Sequence, residues 1–386
     1  MRLSTIYWII FAICLFLFLE GSLVMTAFAS KGIEFEINLT IPTLIACIVS
    51  FLYITFIKKS LPNTRFVRSV VLVLSYTCLI SYFHPETILS RSTYWILLIP
   101  LFIFIMVIKY INNEFTTKVV LYSSLTIMIL LAISYFKNYS ILLSSVINTT
   151  EIVTNTSYFI LYFLPFILCL KDNLFKKILL FLVLCIVILS AKRGAFISLT
   201  LALIIYYLII SKFRTNSQVS YLLLLGVFSI VLVFLVICFT NNTDLYVVER
   251  ILSIGDDGGS GRTDIWKQVL EQISRSSFTE LLFGHGYDSV IKIKEIGFSA
   301  HNDFLEVVYD FGIIAFILYI CLHLNLIIYI SRLFKYRSEY TASFAVSYVL
   351  FLTSSLVAHT YIYIYYMSIF CLFWAFVYAS NKLTYK

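Results

Sequence analysis

Three short stretches of this 386-residue chain hold residue types that could do chemistry. The first is Lys192-Arg193-Gly194, two adjacent cations set between apolar runs. The second is Arg262, which follows the glycine-rich stretch Gly255-Asp256-Asp257-Gly258-Gly259-Ser260-Gly261. From Thr263 onward, Ile265, Trp266, Val269, Leu270 and Ile273 recur at helical spacing, which predicts a surface-lying amphipathic helix with Arg262 at its N-terminal end. A helix N-terminus offers free N–H groups and positive potential, and an Arg fork adds bidentate donors, so a phosphate suits this place. The third is His301, in Ser299-Ala300-His301-Asn302-Asp303, ahead of another apolar run and with Asn302 or Asp303 as the N-cap. An imidazole titrates near neutrality and can take a proton from a hydroxyl nucleophile. Together, the cations and the base fit a diphosphate-bearing substrate attacked by a hydroxyl. Singly, each has an ordinary alternative: a turn with snorkelling side chains, an Arg in a solvated loop, an interfacial His bonded to backbone. His285, in Gly284-His285-Gly286, reads on its own as a loop residue, and His84, His323 and His359 read as interfacial or packed.

The elements that must position these residues are membrane helices. With 61% hydrophobic and 12% charged residues, and a mean hydropathy of +0.97, the chain lies far from soluble composition, which averages about 25% charged. A bilayer core needs about 20 apolar residues per helix. Apolar runs near 6–29, 40–57, 69–83, 93–110, 119–136, 158–170, 178–191, 195–211, 220–239, 304–330, 344–358 and 361–379 satisfy this, two of them only as short pieces. The expectation is an all-α, polytopic integral membrane protein with about twelve transmembrane helices. Residues 1–386 then form a single transmembrane domain, and 240–302 is a long outward loop within it carrying the short amphipathic helix. The polar stretch 137–157 reads as a medium outward loop.

Charge orients the bundle. Alternating the helices places seventeen Lys and Arg on one side and five in short loops on the other, with six more in the long loop. Long loops escape the positive-inside rule, so both termini are expected in the cytoplasm and the long loop outside. Lys192 and Arg193 then sit on the face where that rule disfavours cations, which makes them candidates for function. The net charge of +8 is a topology signal rather than a nucleic-acid footprint, because no basic patch on a folded domain accompanies it. More than half of the twenty acidic residues lie between Asp244 and Asp310. Polarity is thus concentrated at the outer surface, whereas a proton-coupled pump would scatter ionisable groups through its helices. Glu20 is the one deep acid; it touches a partner helix or lines a cavity. Arg2, the apolar run 7–18 and Ala27-Phe28-Ala29-Ser30 resemble a cleavable leader, but the run continues through Leu23, Val24 and Met25, which favours a retained first helix. The eight cysteines fall in apolar runs without CxxC spacing and read as small hydrophobes.

Gly261-Arg262-Thr263-Asp264-Ile265-Trp266, Leu282-Phe283-Gly284-His285-Gly286, and His301-Asn302-Asp303-Phe304-Leu305-Glu306 with Gly312 resemble the O-antigen ligase and polymerase family of bacterial envelopes. The ligase-type pattern of His-Asn, nine residues, Gly, two residues, then Gly, Thr or Tyr matches through Gly312 and departs at Ala315. Ser190-Ala191-Lys192-Arg193-Gly194-Ala195 is similar to the family's upstream Arg motif, with Ile197 where Leu is usual. The resemblance implies inverting, metal-independent glycosyl transfer, without a cofactor, from an undecaprenyl diphosphate-linked glycan at the periplasmic face of the bacterial inner membrane. It further implies that Arg193 and Arg262 bind the diphosphate, that His301 activates the acceptor hydroxyl, and that Asn302 positions the substrate or the histidine. Lys192 and His285 are added to the substrate-binding set on weaker grounds. Membrane lipid is an implied partner, with a chain-length regulator and a flippase as protein partners and no nucleic acid. A repeat-unit polymerase of the O-antigen or capsule type is the leading expectation, nudged by Ala315 and by the 28 Tyr and 35 Phe. A ligase acting on lipid A core is the runner-up. A lipid-linked oligosaccharide flippase would show an internal repeat and cavity-lining charges, which the sequence lacks. An inert membrane scaffold would leave the outward cations and the His-Asn pair without a role.

Overall fold

A computed structural model describes residues 3–29, 45, 48–50, 52, 64–84, 91–145, 156–190, 192–213, 262–293, 296–297 and 299–384. The helix expected near 40–57 falls largely outside the described residues, and those near 220–239 and the Gly255–Gly261 loop fall wholly outside them. Every regular element among the described residues is helical: α1 Leu3–Ala29, α2 Arg65–Phe83, a 3-10 segment Arg91–Leu98 running into α3 Ile99–Tyr110, α4 Glu114–Ser145, α5 Ser157–Leu161, α6 Leu164–Leu168, α7 Leu174–Leu189, α8 Arg193–Phe213, α9 Arg262–Arg275, α10 Phe278–Phe283, α11 Asp303–Lys335, α12 Thr341–Val357 and α13 Ile364–Thr384. Six of these, α1, α2, α4, α8, α11 and α13, are long and apolar enough to cross a bilayer, so the chain is a multi-pass membrane protein.

A helix apolar all round belongs inside a bundle, and α13 does this: from Ile369 through Phe376 no side chain is more than 1% exposed. It packs on α3, while α12 packs on α8, α11 on α2 and α1 on α4. Small polar residues stitch these seams, as expected where water cannot compete and close approach counts. Trp374 Nε1 donates to Ser347 Oγ at 3.0 Å, Thr353 Oγ1 to Ser198 Oγ at 2.8 Å, and Trp8 Nε1 to Ser123 Oγ at 3.1 Å. Glu20 is one such contact. Its carboxylate accepts from Ser134 Oγ on α4 at 3.0 Å, so it meets a partner helix.

Two sequence expectations need correction. The segment read as an outward loop from 137 stays helical to Ser145, because Asn138 turns its amide inward to Ser134 Oγ at 3.3 Å and the α4 ladder continues. The run 158–170 is two buried five-residue helices rather than one span. Pro165 has no N–H to offer the preceding turn, so the chain restarts at α6 with the proline in its first turn.

The two ends of α12 carry different surroundings. Lys118, Lys171, Glu339 and Ser380 line one cavity beside the start of α12. His359 follows the other end of α12, and His301 lies against it.

Candidate functional site

The site is built where three helix beginnings and one interhelical link meet. Lys192 and Arg193 open α8, Arg262 opens α9, His301 precedes α11, and His359 lies between α12 and α13. The rings of His301 and His359 stack with centroids 5.1 Å apart and planes 19° from parallel. Burial pushes the His301 imidazole down to about 3, with His359, Arg262 and Lys192 adding to the effect. Burial pushes His359 down to about 4, with Lys192 and Arg262 again contributing. Both cations therefore reach both histidines electrostatically. Both imidazoles are held neutral at physiological pH, so each keeps one unprotonated ring nitrogen in spite of the positive surroundings.

Each part has a local cause. Gly194 lets the start of α8 approach its neighbours closely: a Cβ there would run into Tyr158 Oη and stand 3.2 Å from Val357 Cγ2. That contact brings the Lys192-Arg193 end of α8 to the end of α12, next to His359. Arg262 is fixed by α9, whose Val269 is fully buried against Val290, Ile293, Ile296 and Ala300, with Ile265, Trp266 and Ile273 packed alongside. Trp266 Nε1 also donates to Ala300 O at 2.8 Å, tying α9 to the backbone immediately before His301. Leu270, expected on that face, is 54% exposed. It lies about 100° round the helix from Val269, at the edge of the buried stripe.

His301 has φ of 51°, in the left-handed region that few non-glycine residues adopt. The next residues hold it there. Asn302 caps α11, its Oδ1 accepting from Phe304 N at 3.0 Å and Leu305 N at 3.3 Å, and Glu306 Oε1 accepts from His301 N at 3.1 Å. The Asn302 amide oxygen is thus engaged in capping α11. Asp303 then fixes the second histidine. Its carboxylate accepts from Thr360 N at 2.9 Å and from Tyr361 N at 2.8 Å, fastening the link that carries His359 to the head of α11. Ser299 completes the pair, with Oγ 3.4 Å from His301 Nδ1 and 3.1 Å from His359 Nδ1.

Beside this site the chain makes a tight backbone crossing. Gly284 and Gly312 have φ of 77° and 79°, and a Cβ on either would strike the other strand's backbone. His285 N donates to Tyr309 O at 3.0 Å and Gly286 N to Asp310 O at 2.8 Å. The Asp310 carboxylate caps the following turn by accepting from Asp288 N at 2.9 Å and Ser289 N at 3.1 Å. His285 belongs to this crossing. Its ring stacks on Tyr309 at 4.3 Å, its Nε2 lies 2.9 Å from Ser276 Oγ, and Glu280 faces its Nδ1 at 3.7 Å. Burial holds the His285 imidazole below its ordinary value, against the opposing pull of Glu280 and with a further push from His84.

The structure thus gathers Lys192, Arg262, His301 and Asn302, sets Arg193 at the adjoining helix start, and gives His285 a different set of neighbours. It adds His359, Asp303 and Ser299, which sequence reasoning did not single out for chemistry. Ser299 and Asp303 flank the His-Asn motif, but their partners lie some 60 residues on. Among the described residues no three His, Cys, Asp or Glu side chains come together as a metal-ligand set. The arrangement offers an anion two cations at helix N-termini, and offers a hydroxyl an imidazole beside them.

No curated protein matches the chain. Residues 178–320, which contain Lys192, Arg193, Arg262, His301 and the glycine crossing, match the family model described as O-antigen ligase. That family consists of membrane glycosyltransferase-like enzymes of O-antigen ligation and polymerisation. Over that stretch, whose motifs also meet in space, the chain is similar to the O-antigen ligase family.

Proposed function

We propose that this chain polymerises undecaprenyl diphosphate-linked oligosaccharide repeat units, of O-antigen or capsule type, at the periplasmic face of the inner membrane. The observation that carries the reading is the meeting of Lys192 and Arg262 with His301 at the heads of three helices. In the reaction the acceptor sugar hydroxyl attacks the anomeric carbon of the donor. The C–O bond to diphosphate breaks as the new glycosidic bond forms. The hydroxyl proton passes to His301, and the charge growing on the diphosphate is met by Arg193, Arg262, Lys192 and the positive N-terminal ends of α8 and α9. Asn302 holds His301 in place. The proposed step uses protein groups alone, with no metal and no cofactor. His285 serves the crossing that supports α10 and α11, so its role in this reading is indirect.

The second reading is a ligase transferring finished chains to lipid A core, and the description of the matching family favours it. Ala315, where the ligase-type pattern has Gly, Thr or Tyr, favours polymerase. The experiment is the lipopolysaccharide gel profile of a strain lacking the gene, rescued with wild type, His301→Ala or Arg262→Ala. A core carrying a single repeat, restored to a ladder by wild type only, supports a polymerase using these residues. Bare core with polymer retained on the lipid carrier makes it the ligase. An unchanged ladder, with capsule and exopolysaccharide also unchanged, overturns both readings.

A further inference from the structure

Ser299 Oγ sits between two imidazole Nδ1 atoms, at 3.1 Å from His359 and 3.4 Å from His301. A hydroxyl has one hydrogen to give and lone pairs with which to accept. Among the described residues the two rings are the only partners of this oxygen. If both Nδ1 atoms were bare, one contact would set lone pair against lone pair. If both carried hydrogen, the serine hydrogen would have no acceptor among the described residues. Only one arrangement satisfies all three groups: Ser299 donates to one Nδ1 and accepts from the other. Hydroxyl donors make the shorter contacts, which assigns the serine hydrogen to His359 and the Nδ1–H to His301.

We propose that Ser299 locks His301 and His359 in opposite tautomers, so that His301 presents a bare Nε2 as base while His359 presents an Nε2–H as a hydrogen-bond donor to the substrate. The stacked rings, with planes 19° apart, present these complementary edges side by side. Asp303 fixes the His359 link through Thr360 N and Tyr361 N, and Glu306 fixes the His301 backbone, so neither ring is free to exchange roles by moving away. Neutrality is the condition for tautomers to exist at all. Burial supplies it, holding the two rings at about 3 and about 4. His359 thereby becomes a specificity or leaving-group contact in its own right, and Ser299 is a positioning residue. The role given to His301 rests on the proposed glycosyl transfer; the opposition of the tautomers does not.

The test is the nitrogen-15 NMR spectrum of full-length, histidine-labelled protein in lipid nanodiscs at neutral pH, with His301→Ala and His359→Ala supplying the assignments. Expected are a protonated Nδ1 for His301 and a protonated Nε2 for His359, with both rings relaxing to tautomer mixtures in Ser299→Ala and recovering in Ser299→Thr. The same tautomer at both rings, or spectra indifferent to Ser299→Ala, overturns the proposal. In the transfer assay Ser299→Ala is expected to lower kcat roughly tenfold with KM little changed, a fraction of what a general base contributes. His359→Gln, which keeps an N–H donor, is expected to retain more activity than His359→Ala. Full activity in His359→Ala overturns the donor role. Full activity in His301→Ala would instead bring down the glycosyl-transfer mechanism, while the NMR arm still decides the tautomers.

Discussion

Gly194 offers the sharpest test of how the site is assembled. In Gly194→Ala the new methyl group falls on Tyr158 Oη, while the nearest ring carbon, Tyr158 Cζ, stands at 3.8 Å, an ordinary contact. The clash is therefore with one hydroxyl oxygen. Tyr158 is only 3% exposed and Val357 closes the other side at 3.2 Å, so the ring has little room to yield. Overpacking of this kind costs about 1–3 kcal/mol. Alanine recovers up to about 1 kcal/mol of helix preference over glycine, leaving a net loss of about 1 kcal/mol. In a Tyr158→Phe background the offending oxygen is gone. The same substitution is then expected to be about neutral, the helix preference offsetting the remaining crowding at Val357. The coupling between the two positions is thus about 1 kcal/mol, above the few tenths that separate independent sites. Thermal unfolding of wild type, both single variants and the double variant in one detergent reads it, with transfer activity measured in parallel because Lys192 and Arg193 ride on the same helix start. Equal damage from Gly194→Ala in both backgrounds would refute the reasoning.

Other perturbations follow the same geometry. Gly312→Ala sets a methyl group 2.6 Å from Phe283 N at a φ of 79°, so a loss above about 3 kcal/mol is expected, read as failure of the variant to accumulate as a monodisperse peak in size-exclusion chromatography. Asp303→Ala strips the buried N–H groups of Thr360 and Tyr361 of their acceptor; a cost of about 2–5 kcal/mol is expected, with greater exposure of the His359 link in hydrogen exchange, whereas unchanged protection there would refute the clamp. The acid side of the kcat/KM profile should show no histidine step near pH 6.5, because His301 and His359 are held at about 3 and about 4 by burial. For the same reason the two rings should withdraw stability as pH drops from about 6.5 toward 4, where the unfolded chain takes up protons that the folded rings refuse. Burial raises the Asp303 carboxyl to about 7, and its protonation in the folded state opposes that loss. The share of the rings is therefore read as the difference in pH slope of the transition midpoint between wild type and a His301→Gln/His359→Gln double variant. Equal slopes would contradict the burial of the pair.

What could be read from the residues alone was whatever is local. Apolar run length announces membrane helices, and the spacing of Ile265, Trp266, Val269 and Ile273 announces α9 because a 3.6-residue period needs no tertiary knowledge. Asn302 was legible as a cap for the same reason. His359 was not. No motif surrounds it, and its importance comes from Asp303 and Ser299, whose bonds cross some 60 residues of sequence. The departure at Leu270 came from treating an edge position as a face position. The extension of α4 past Lys137 was hidden because polar residues announce a loop until one knows that Asn138 turns back to Ser134. The division of 157–168 turned on a single proline inside an otherwise continuous apolar run.

The break at Gly312 has a consequence for depth. After it, α11 runs on to Lys335, about 35 Å at 1.5 Å per residue, which by itself exceeds a hydrocarbon core of about 30 Å. Asp303, Glu306 and Asp310 all precede the break and no acid follows it within the helix. The upper nine residues can therefore stand clear of the lipid while the lower part serves as the post beneath them. A glycine joint between post and platform separates two mechanical duties. Thickening or thinning of the bilayer tilts the lower segment, and the backbone crossing at Leu282-Phe283-Gly284 keeps that tilt from turning the histidine platform away from the cations that face it.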